Sequence, residues 1–374
     1  MKLVTLFVFV SILAIVSSAK ILDAFPTSSD SLVLLHVLFR HGNRTPDKFS
    51  QFPTDPHINE TFKPFGYSQL TTKGKKTEFE IGKYIRQTYG DFIPQQYGPE
   101  VAYAISTDFK RTKMSLESVL AGLFPPLDSD VFSSGLNWQP IPYEIDDGID
   151  LIRVPSMYCT NYLQQYYRHL LSKEGQKVLN YYQDLYLQVS NFTGEDIILP
   201  EEIFNIYETL ESEKDFGLEL PAWTSDIFPE VLEKASSVYI EFSTATTGLK
   251  RLSTGHLLKK IIEDSLAKRD GSLPEDRKIF LYSAHDYSVG VMLRALDVFY
   301  PHVPPYGATI FFEIHNIDGT YGLKLLYQNY SQATPQLLTI PGCSSFCDLD
   351  KLVELMSNNF PTETDVCNYS GELV

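Results

Sequence analysis

The sequence predicts an α/β protein in which a layered, mixed sheet has helices on both faces and carries a mostly helical insertion. Three short apolar runs, residues 32–39, 101–106 and 278–283, have the length and partly β-branched composition of strands that are buried on both faces. Amphipathic helical patterns separate these runs, and strands that alternate with helices are typical of a layered α/β fold. Residues 128–250 differ, because they are rich in Tyr, Leu, Glu and Gln at helical spacing. We interpret them as a helical cap over a cleft.

The first residues have the pattern of a secretory signal peptide. Lys2 precedes an apolar run at residues 3–16, and small residues follow it. This run is shorter than the roughly 20 residues that a membrane-spanning helix needs, and no later run is long enough, so we expect no membrane anchor. The expected division of the chain is a signal peptide at 1–19, an α/β domain at 20–127 and 251–374, and a helical cap domain at 128–250.

Four helical patterns account for the helical layers around the sheet. The first covers residues 71–90, with Thr72 as the expected N-terminal cap. In the second, residues 112–124, four apolar side chains fall on one face, and residues 255–271 repeat this pattern. A last helix is expected to begin at Asp348, whose side chain can cap it.

A hairpin signal follows the third strand. Residues 308–316 and 321–329 are apolar runs on either side of Asp318-Gly319, a dipeptide that is typical of tight hairpin turns. The sequence therefore predicts an antiparallel hairpin at one edge of the sheet.

The charge of the chain limits its partners. The formal net charge is −16 at pH 7, which argues against nucleic-acid binding. An anion-binding site in such a protein has to create its own local positive field.

The cysteines and sequons fit a secreted glycoprotein. Four cysteines, an even number, predict two disulfide bonds. Cys343 and Cys347 are near enough in sequence to close a small loop, and Cys159 would then pair with Cys367. Asn43 heads a sequon inside an arginine-rich motif and is expected to stay unmodified if that motif is buried. The other sequons are expected glycosylation sites, at Asn59, Asn191, Asn329 and Asn368.

Each of the three predicted strands is followed directly by polar side chains of chemical interest. Ligands of open α/β sheets bind beyond the carboxyl ends of the strands, so we expect these side chains to share one site. The first strand is followed by the motif Arg40-His41-Gly42-Asn43-Arg44, the second by residues 107–111 with Arg111, and the third by His285-Asp286.

These residue types indicate phosphoryl chemistry. The planar guanidinium group of arginine suits phosphate oxygens, and several arginines together imply a multiply charged oxyanion. Histidine accepts a phosphoryl group when one ring nitrogen is held by a hydrogen bond and the other faces the phosphorus. We therefore expect His41 to attack a phosphoryl group held by arginines. The alternative is a structural turn whose arginines are neutralised by carboxylates of this acidic chain.

The chain resembles the histidine acid phosphatases, and most closely the subgroup of prostatic, lysosomal and insect secreted or venom acid phosphatases. The resemblance covers nearly the whole chain after the signal peptide. Asn43 is a departure, because close relatives often have Asp there. The stretches that carry the resemblance are FRHGNRTP, GYSQLTTKGK, STDFKRTKMS, LFPP, NWQPIP, LYSAHD, ALDVFYPHVPPYG and PGCSSFC.

This resemblance implies a phosphoglycerate mutase-like fold and a role for each motif residue. His41 would become transiently phosphorylated, His285 would help to bind the phosphoryl group, and Asp286 would donate the proton. No metal and no cofactor would be required, and a homodimer is one expected assembly. The residues implied to hold phosphate are Arg40, Arg44 and Arg111.

The predicted function is that of a secreted acid phosphatase acting on small-molecule or phosphoprotein phosphomonoesters, with the lysosomal lumen as an alternative location. Two other functions are consistent with the residues. One is a phosphomutase-like transferase of the same superfamily, and the other is a non-catalytic secreted binding protein that has this fold.

Overall fold

An eight-stranded mixed sheet forms the centre of the protein. Four strands are parallel to one another: β1 (Leu32–Arg40), β2 (Ala102–Thr107), β3 (Glu144–Asp146) and β4 (Ile279–Ala284). The others are antiparallel to their neighbours: β5 (Thr309–Ile317), β6 (Thr320–Gln328), β7 (Gln336–Leu338) and β8 (Cys347–Asp348). The strands lie in the order β3-β2-β4-β1-β5-β6-β7, with β8 pairing beside β6.

This structure is a computed structural model. The expected signal peptide and the sequon at Asn368 lie outside the residues that it describes. Those residues are 31–146, 151–152, 159–365 and 367.

The three strands predicted from the sequence are β1, β2 and β4, and they lie side by side. Helices cover both faces of the sheet. Alternate side chains of β1 enter two different apolar clusters, Val37 and Phe39 in one and Leu34 and Leu38 in the other. The first face is covered by α1 (Thr72–Tyr89) and α2 (Lys110–Leu123), and the second by α8 (His256–Arg269), α9 (Asp286–Ala295) and α10 (Leu349–Met356).

The helical insertion packs over the carboxyl ends of the parallel strands. A third apolar cluster joins its helices to Tyr287 and Val291 of α9. Two features lie near the predicted boundaries of the insertion, and the division of the chain stays a prediction. Strand β3 lies within residues 128–250 but pairs with β2, and a π-helical turn, Arg251–Gly255, links the last helix of the insertion to α8. The helices are α3 (Thr160–Leu170), α4 (Lys173–Thr193), α5 (Pro200–Phe216), α6 (Glu230–Phe242) and α7 (Thr247–Lys250).

Two local predictions need correction. The N-terminal cap of α1 is Thr71 and not Thr72, because the Thr71 side chain accepts the N–H of Gly74. The β5–β6 hairpin turns at Asp318-Gly319 as predicted, but it does not form the edge of the sheet, since the short strands β7 and β8 lie outside it. The cap of α10 is Asp348, as expected.

The cysteines form the bonds Cys159–Cys367 and Cys343–Cys347. The first ties the start of α3 to the last described residue of the chain. Among the sequon asparagines, Asn59 and Asn191 are exposed and Asn329 is half-buried, whereas Asn43 is buried.

Candidate active site

The carboxyl ends of β2, β4 and β1 bring the predicted site residues together. Because these strands are parallel neighbours, their ends share one edge of the sheet. Arg40 is the last residue of β1, and Arg111 lies in the first turn of α2, which follows β2. His285 is the N-cap residue of α9, directly after β4, and Asp286 is the first residue of that helix.

The loop after β1 depends on glycine. A Cβ atom on Gly42 would lie 2.5 Å from the carbonyl oxygen of Gly74, which is too close for any other residue without a backbone shift. The N–H of Gly42 donates to Ser115 Oγ on α2. The motif loop is therefore packed tightly against the two helices of this face, which fixes the position of His41.

His41 is buried, and its protonation state is set by its neighbours. Its Nδ1 atom lies 2.9 Å from the carbonyl oxygen of Gly42. A carbonyl can only accept, so Nδ1 carries the hydrogen and the lone pair is on Nε2. Burial lowers the pKa of His41 well below its usual value, and the cations Arg111 and Arg40 lower it further. The imidazole is therefore neutral and nucleophilic even in acid.

Arg40 is completely buried and surrounded by acceptors. Its Nη1 donates to the carbonyl oxygen of Pro304 at 2.6 Å, and its Nη2 donates to Glu208 Oε2 at 2.7 Å. Its Nε lies 3.1 Å from Asp286 Oδ2. The guanidinium group also stacks 4.1 Å from the centre of the Tyr306 ring. These contacts hold Arg40 in a single orientation.

Arg44 and Arg111 keep donors that no described residue uses. Arg44 donates to Glu208 Oε2 at 3.0 Å and to the carbonyl oxygen of Thr45, but its buried Nε has no partner among the described residues. The buried Nε of Arg111 likewise has none, and no described carboxylate lies within ion-pair distance of Arg111. Burial, followed by the charge of Arg44, lowers the pKa of Arg111 to about 10, which still leaves it charged. Unused buried donors on two cations are what an oxyanion site requires.

His285 is a neutral imidazole beside His41. Its Nε2 atom is in hydrogen-bond contact with Thr107 Oγ1 at 3.1 Å. Its ring lies edge-on to the His41 ring, with the centres 5.6 Å apart. Burial and the charge of Arg111 lower the pKa of His285 to about 3.

Asp286 is ionised before any substrate binds. Its Oδ1 accepts the N–H of Tyr287 at 2.6 Å. Burial alone would raise the pKa of this carboxyl, but Arg40, followed by His285 and Arg44, outweighs burial and holds it below its usual value. A proton that Asp286 delivers must therefore reach it after the substrate arrives.

Sequence reasoning missed an acidic face on α5. Glu208, Glu211 and Asp215 are spaced three and four residues apart, so they share one side of the helix. Glu208 binds Arg40 and Arg44, while Glu211 lies 3.5 Å from Arg40. The spacing was a usable signal, although other acidic residues of α5 blur it.

Asp215 completes this face at the motif loop. It accepts the Asn43 side-chain amide at 2.9 Å and forms an ion pair with Lys73. Asn43 also accepts the hydroxyl of Thr77 on α1 through its Oδ1.

The structural alternative for the arginine motif is correct in part. Carboxylates of the chain do pair with Arg40 and Arg44. Arg111, in contrast, has no such partner among the described residues, and it contributes to the low pKa of His41. A turn with a purely structural role would not need this unpaired cation beside an imidazole.

The comparisons with known proteins identify the family and support the fold. The model of the histidine phosphatase superfamily, branch 2, matches residues 31–218. Venom acid phosphatase of Apis mellifera is 36% identical over 341 residues, which cover 89% of this chain and 86% of that protein. Lysosomal acid phosphatase of Homo sapiens is 33% identical over 348 residues, 90% of this chain and 80% of that protein.

Among solved structures, the phytase from Citrobacter braakii has a TM-score of 0.65 at 17% identity. The match covers 88% of this chain and 98% of that one, and it supports the fold alone. The chain therefore belongs to branch 2 of the histidine phosphatase superfamily.

Proposed function

We propose that this protein is a secreted acid phosphatase that hydrolyses phosphate monoesters through a phosphohistidine at His41. The observation that carries the proposal is a neutral imidazole with its lone pair on Nε2, placed among arginines that keep unused buried donors. The similarity to acid phosphatases over most of the chain supports the same activity.

In the first step, Nε2 of His41 forms a bond to phosphorus and the ester P–O bond breaks. Negative charge on the transferring group is met by Arg44 and Arg111, whose Nε donors are unused, and by Arg40 and His285. Stabilising this charge is the main task of a protein in phosphoryl transfer. The residues of this chain supply the positive charge without a metal ion in the proposed route.

The leaving oxygen takes its proton from Asp286. Asp286 is ionised in the free protein, because Arg40 is its ion-pair partner. A phosphate monoester loses its second proton near pH 6, so in acid the substrate arrives as the monoanion with one proton still attached. That proton passes to Asp286 and then to the leaving alcohol. Activity is therefore expected in acid and should fall as the substrate loses this proton.

In the second step, water attacks the phosphorus of the phosphohistidine. Asp286, ionised again, accepts a proton from this water, the N–P bond breaks, and His41 and free phosphate are released. Since water is the acceptor, no second substrate is needed.

The proposed substrates are phosphomonoesters on small molecules or on proteins, and the proposed location is outside the cell. Within the described residues, no helix is both long and apolar enough to cross a membrane. The similar proteins include a venom and a lysosomal enzyme, so the lysosomal lumen is the alternative location.

The test is a phosphate-release screen with the purified protein over a panel of phosphomonoesters between pH 4 and pH 8. We expect free phosphate without any added acceptor alcohol, with the highest rate in acid. Transfer that requires a second alcohol would indicate a phosphomutase instead. Absence of both activities across the panel would indicate a binding protein.

A further inference from the structure

One oxygen atom of the insertion contacts two cations of the sheet domain. Glu208 Oε2 accepts Arg40 Nη2 at 2.7 Å and Arg44 Nη2 at 3.0 Å. The side chain is almost completely buried, and its other oxygen, Oε1, has no hydrogen-bond partner among the described residues. Glu208 is separated by more than 160 residues from both arginines, so only the docking of α5 places it there.

This contact determines how the two guanidinium groups are turned. Each directs an Nη2 donor at the same oxygen, and backbone carbonyls of Pro304 and Thr45 fix their Nη1 donors. The Nε donor of Arg44 remains for a ligand. Rotation of either guanidinium group would break a buried, charge-assisted hydrogen bond.

Neutralising the charge of the two arginines does not by itself explain why Glu208 lies in this site. A negative charge beside an anion site opposes the binding of phosphate, so its electrostatic effect weakens the ligand contact. Holding the two guanidinium groups in a fixed orientation favours the reaction, since a misplacement of about 1 Å in such a site can cost about 100-fold in rate. The two effects can be separated by changing the length and the charge of the side chain at position 208 independently.

We propose that Glu208 is a positioning residue of the phosphate site, whose single oxygen Oε2 holds Arg40 and Arg44 in the orientation that receives a phosphoryl group. The proposal rests on the proposed function, because it takes the ligand to be a phosphoryl group. It also assigns a role in that site to the helical insertion.

Two substitutions separate reach from charge. Glu208→Asp keeps the charge, but it is one methylene shorter and cannot bridge both arginines. Glu208→Gln loses the charge but keeps the length and an acceptor oxygen. If Glu208 positions the arginines, E208D should lower kcat/KM by about 10- to 100-fold and raise the inhibition constant of inorganic phosphate by about tenfold. E208Q should bind phosphate at least as tightly as the unmodified protein.

Glu213→Asp is the matched control. Glu213 is a buried glutamate on the same helix that contacts neither arginine, and its neighbour is Asp55. E213D should leave the phosphate inhibition constant unchanged at pH 5. Circular dichroism and thermal unfolding show whether each variant is folded.

Four outcomes would overturn the proposal. They are an E208D variant with unchanged kcat/KM and phosphate affinity, equal losses in E208D and E208Q, an equal loss in E213D, and failure of both Glu208 variants to fold. Phosphate binding measured by calorimetry keeps this test independent of turnover. If the unmodified protein binds phosphate but hydrolyses no ester, the proposed function fails while the role of Glu208 can still be decided.

Discussion

At the scale of the residue, His41 and Asp286 lie in the same site but need different charge states, His41 neutral and Asp286 ionised. Burial and the nearby arginines lower the pKa of His41, which keeps it neutral and nucleophilic, while Arg40 and Arg44 lower the pKa of Asp286, which keeps it ionised. A bound phosphoryl group would offset these positive charges. Its arrival is therefore expected to raise the pKa of Asp286 and to make protonation of that carboxyl possible.

Replacement of His41 tests the nucleophile. We expect His41→Ala to abolish turnover, with a loss of at least about 1,000-fold, because the substitution removes the nitrogen that forms the N–P bond. Rapid quenching of the unmodified protein under alkaline conditions should trap an acid-labile phosphoenzyme, and the variant should form none. Unfolding temperatures of the two proteins serve as the control for folding. Turnover of the variant near the original rate would exclude His41 as the nucleophile.

Replacement of Asp286 tests the proton donor. An alkoxide leaving group needs a proton in the transition state, whereas a nitrophenolate largely does not. Asp286→Asn should therefore slow the burst phase on an alkyl phosphate by about 10² to 10⁴ and slow it far less on p-nitrophenyl phosphate. The burst phase is the proper measurement, since breakdown of the phosphohistidine can limit the steady state. Equal losses on both substrates would show that Asp286 positions the phosphate instead.

At the scale of the element, α5 links the insertion to the motif loop at two points. Glu208 contacts the arginines, and about two turns further on Asp215 accepts the side-chain amide of Asn43. An ionised aspartate at position 43 could not donate this hydrogen bond. The side chain at position 43 therefore affects the docking of α5.

Asn43→Asp is expected to make that docking dependent on a proton. Two carboxylates at the observed 2.9 Å would raise the pKa of one of them, although Lys73 beside Asp215 offsets part of this effect. The contact would then be present below the raised pKa and lost above it. The alkaline limb of the kcat/KM profile should move to lower pH in N43D. The double variant Asn43→Asp with Asp215→Asn exchanges donor and acceptor, so it should restore the original alkaline limb of the kcat/KM profile. If the limb stays shifted in the double variant, this contact has no role in the alkaline limb.

The strands and the arginine motif could be predicted, but the contacts that the acidic face of α5 makes could not. A buried strand and the polar residues after it are adjacent in sequence, so β1 and His41 can be located together. The partners of Arg40 depend on how distant elements dock. Glu208 and Glu213 lie on the same helix, and the sequence does not show which one reaches the arginines. Strand β3 was missed because three residues are too few to show an alternating pattern.

At the scale of the whole molecule, buried carboxyl groups make the folded protein more stable in acid than at alkaline pH. Burial raises the pKa of Glu211 to about 8 and that of Glu213 to about 9, and it raises the pKa of Glu78 as well. Each of these groups has a folded-state pKa above its unfolded value of about 4.3. Their contribution to stability is therefore complete below about pH 4.3 and is lost progressively as the pH rises through the folded values.

Thermal unfolding should show this loss. We expect the unfolding temperature to be several degrees higher at pH 5 than at pH 8.5. Glu213→Gln, which resembles the protonated side chain, should reduce this difference and should be more stable than the unmodified protein at pH 8.5. An unfolding temperature that stays constant or rises over this interval would contradict the folded-state pKa values of these groups.

The bond between Cys159 and Cys367 has a consequence for proteolysis. It encloses most of the insertion and the entire second half of the sheet within one covalent ring. A protease that cuts once anywhere between these cysteines opens the ring but releases no fragment. The cut protein would keep its full mass in a denaturing gel until a thiol reductant separates the pieces. In a compartment rich in proteases, the protein can therefore remain in one covalently linked piece after a peptide bond in this ring has been cut.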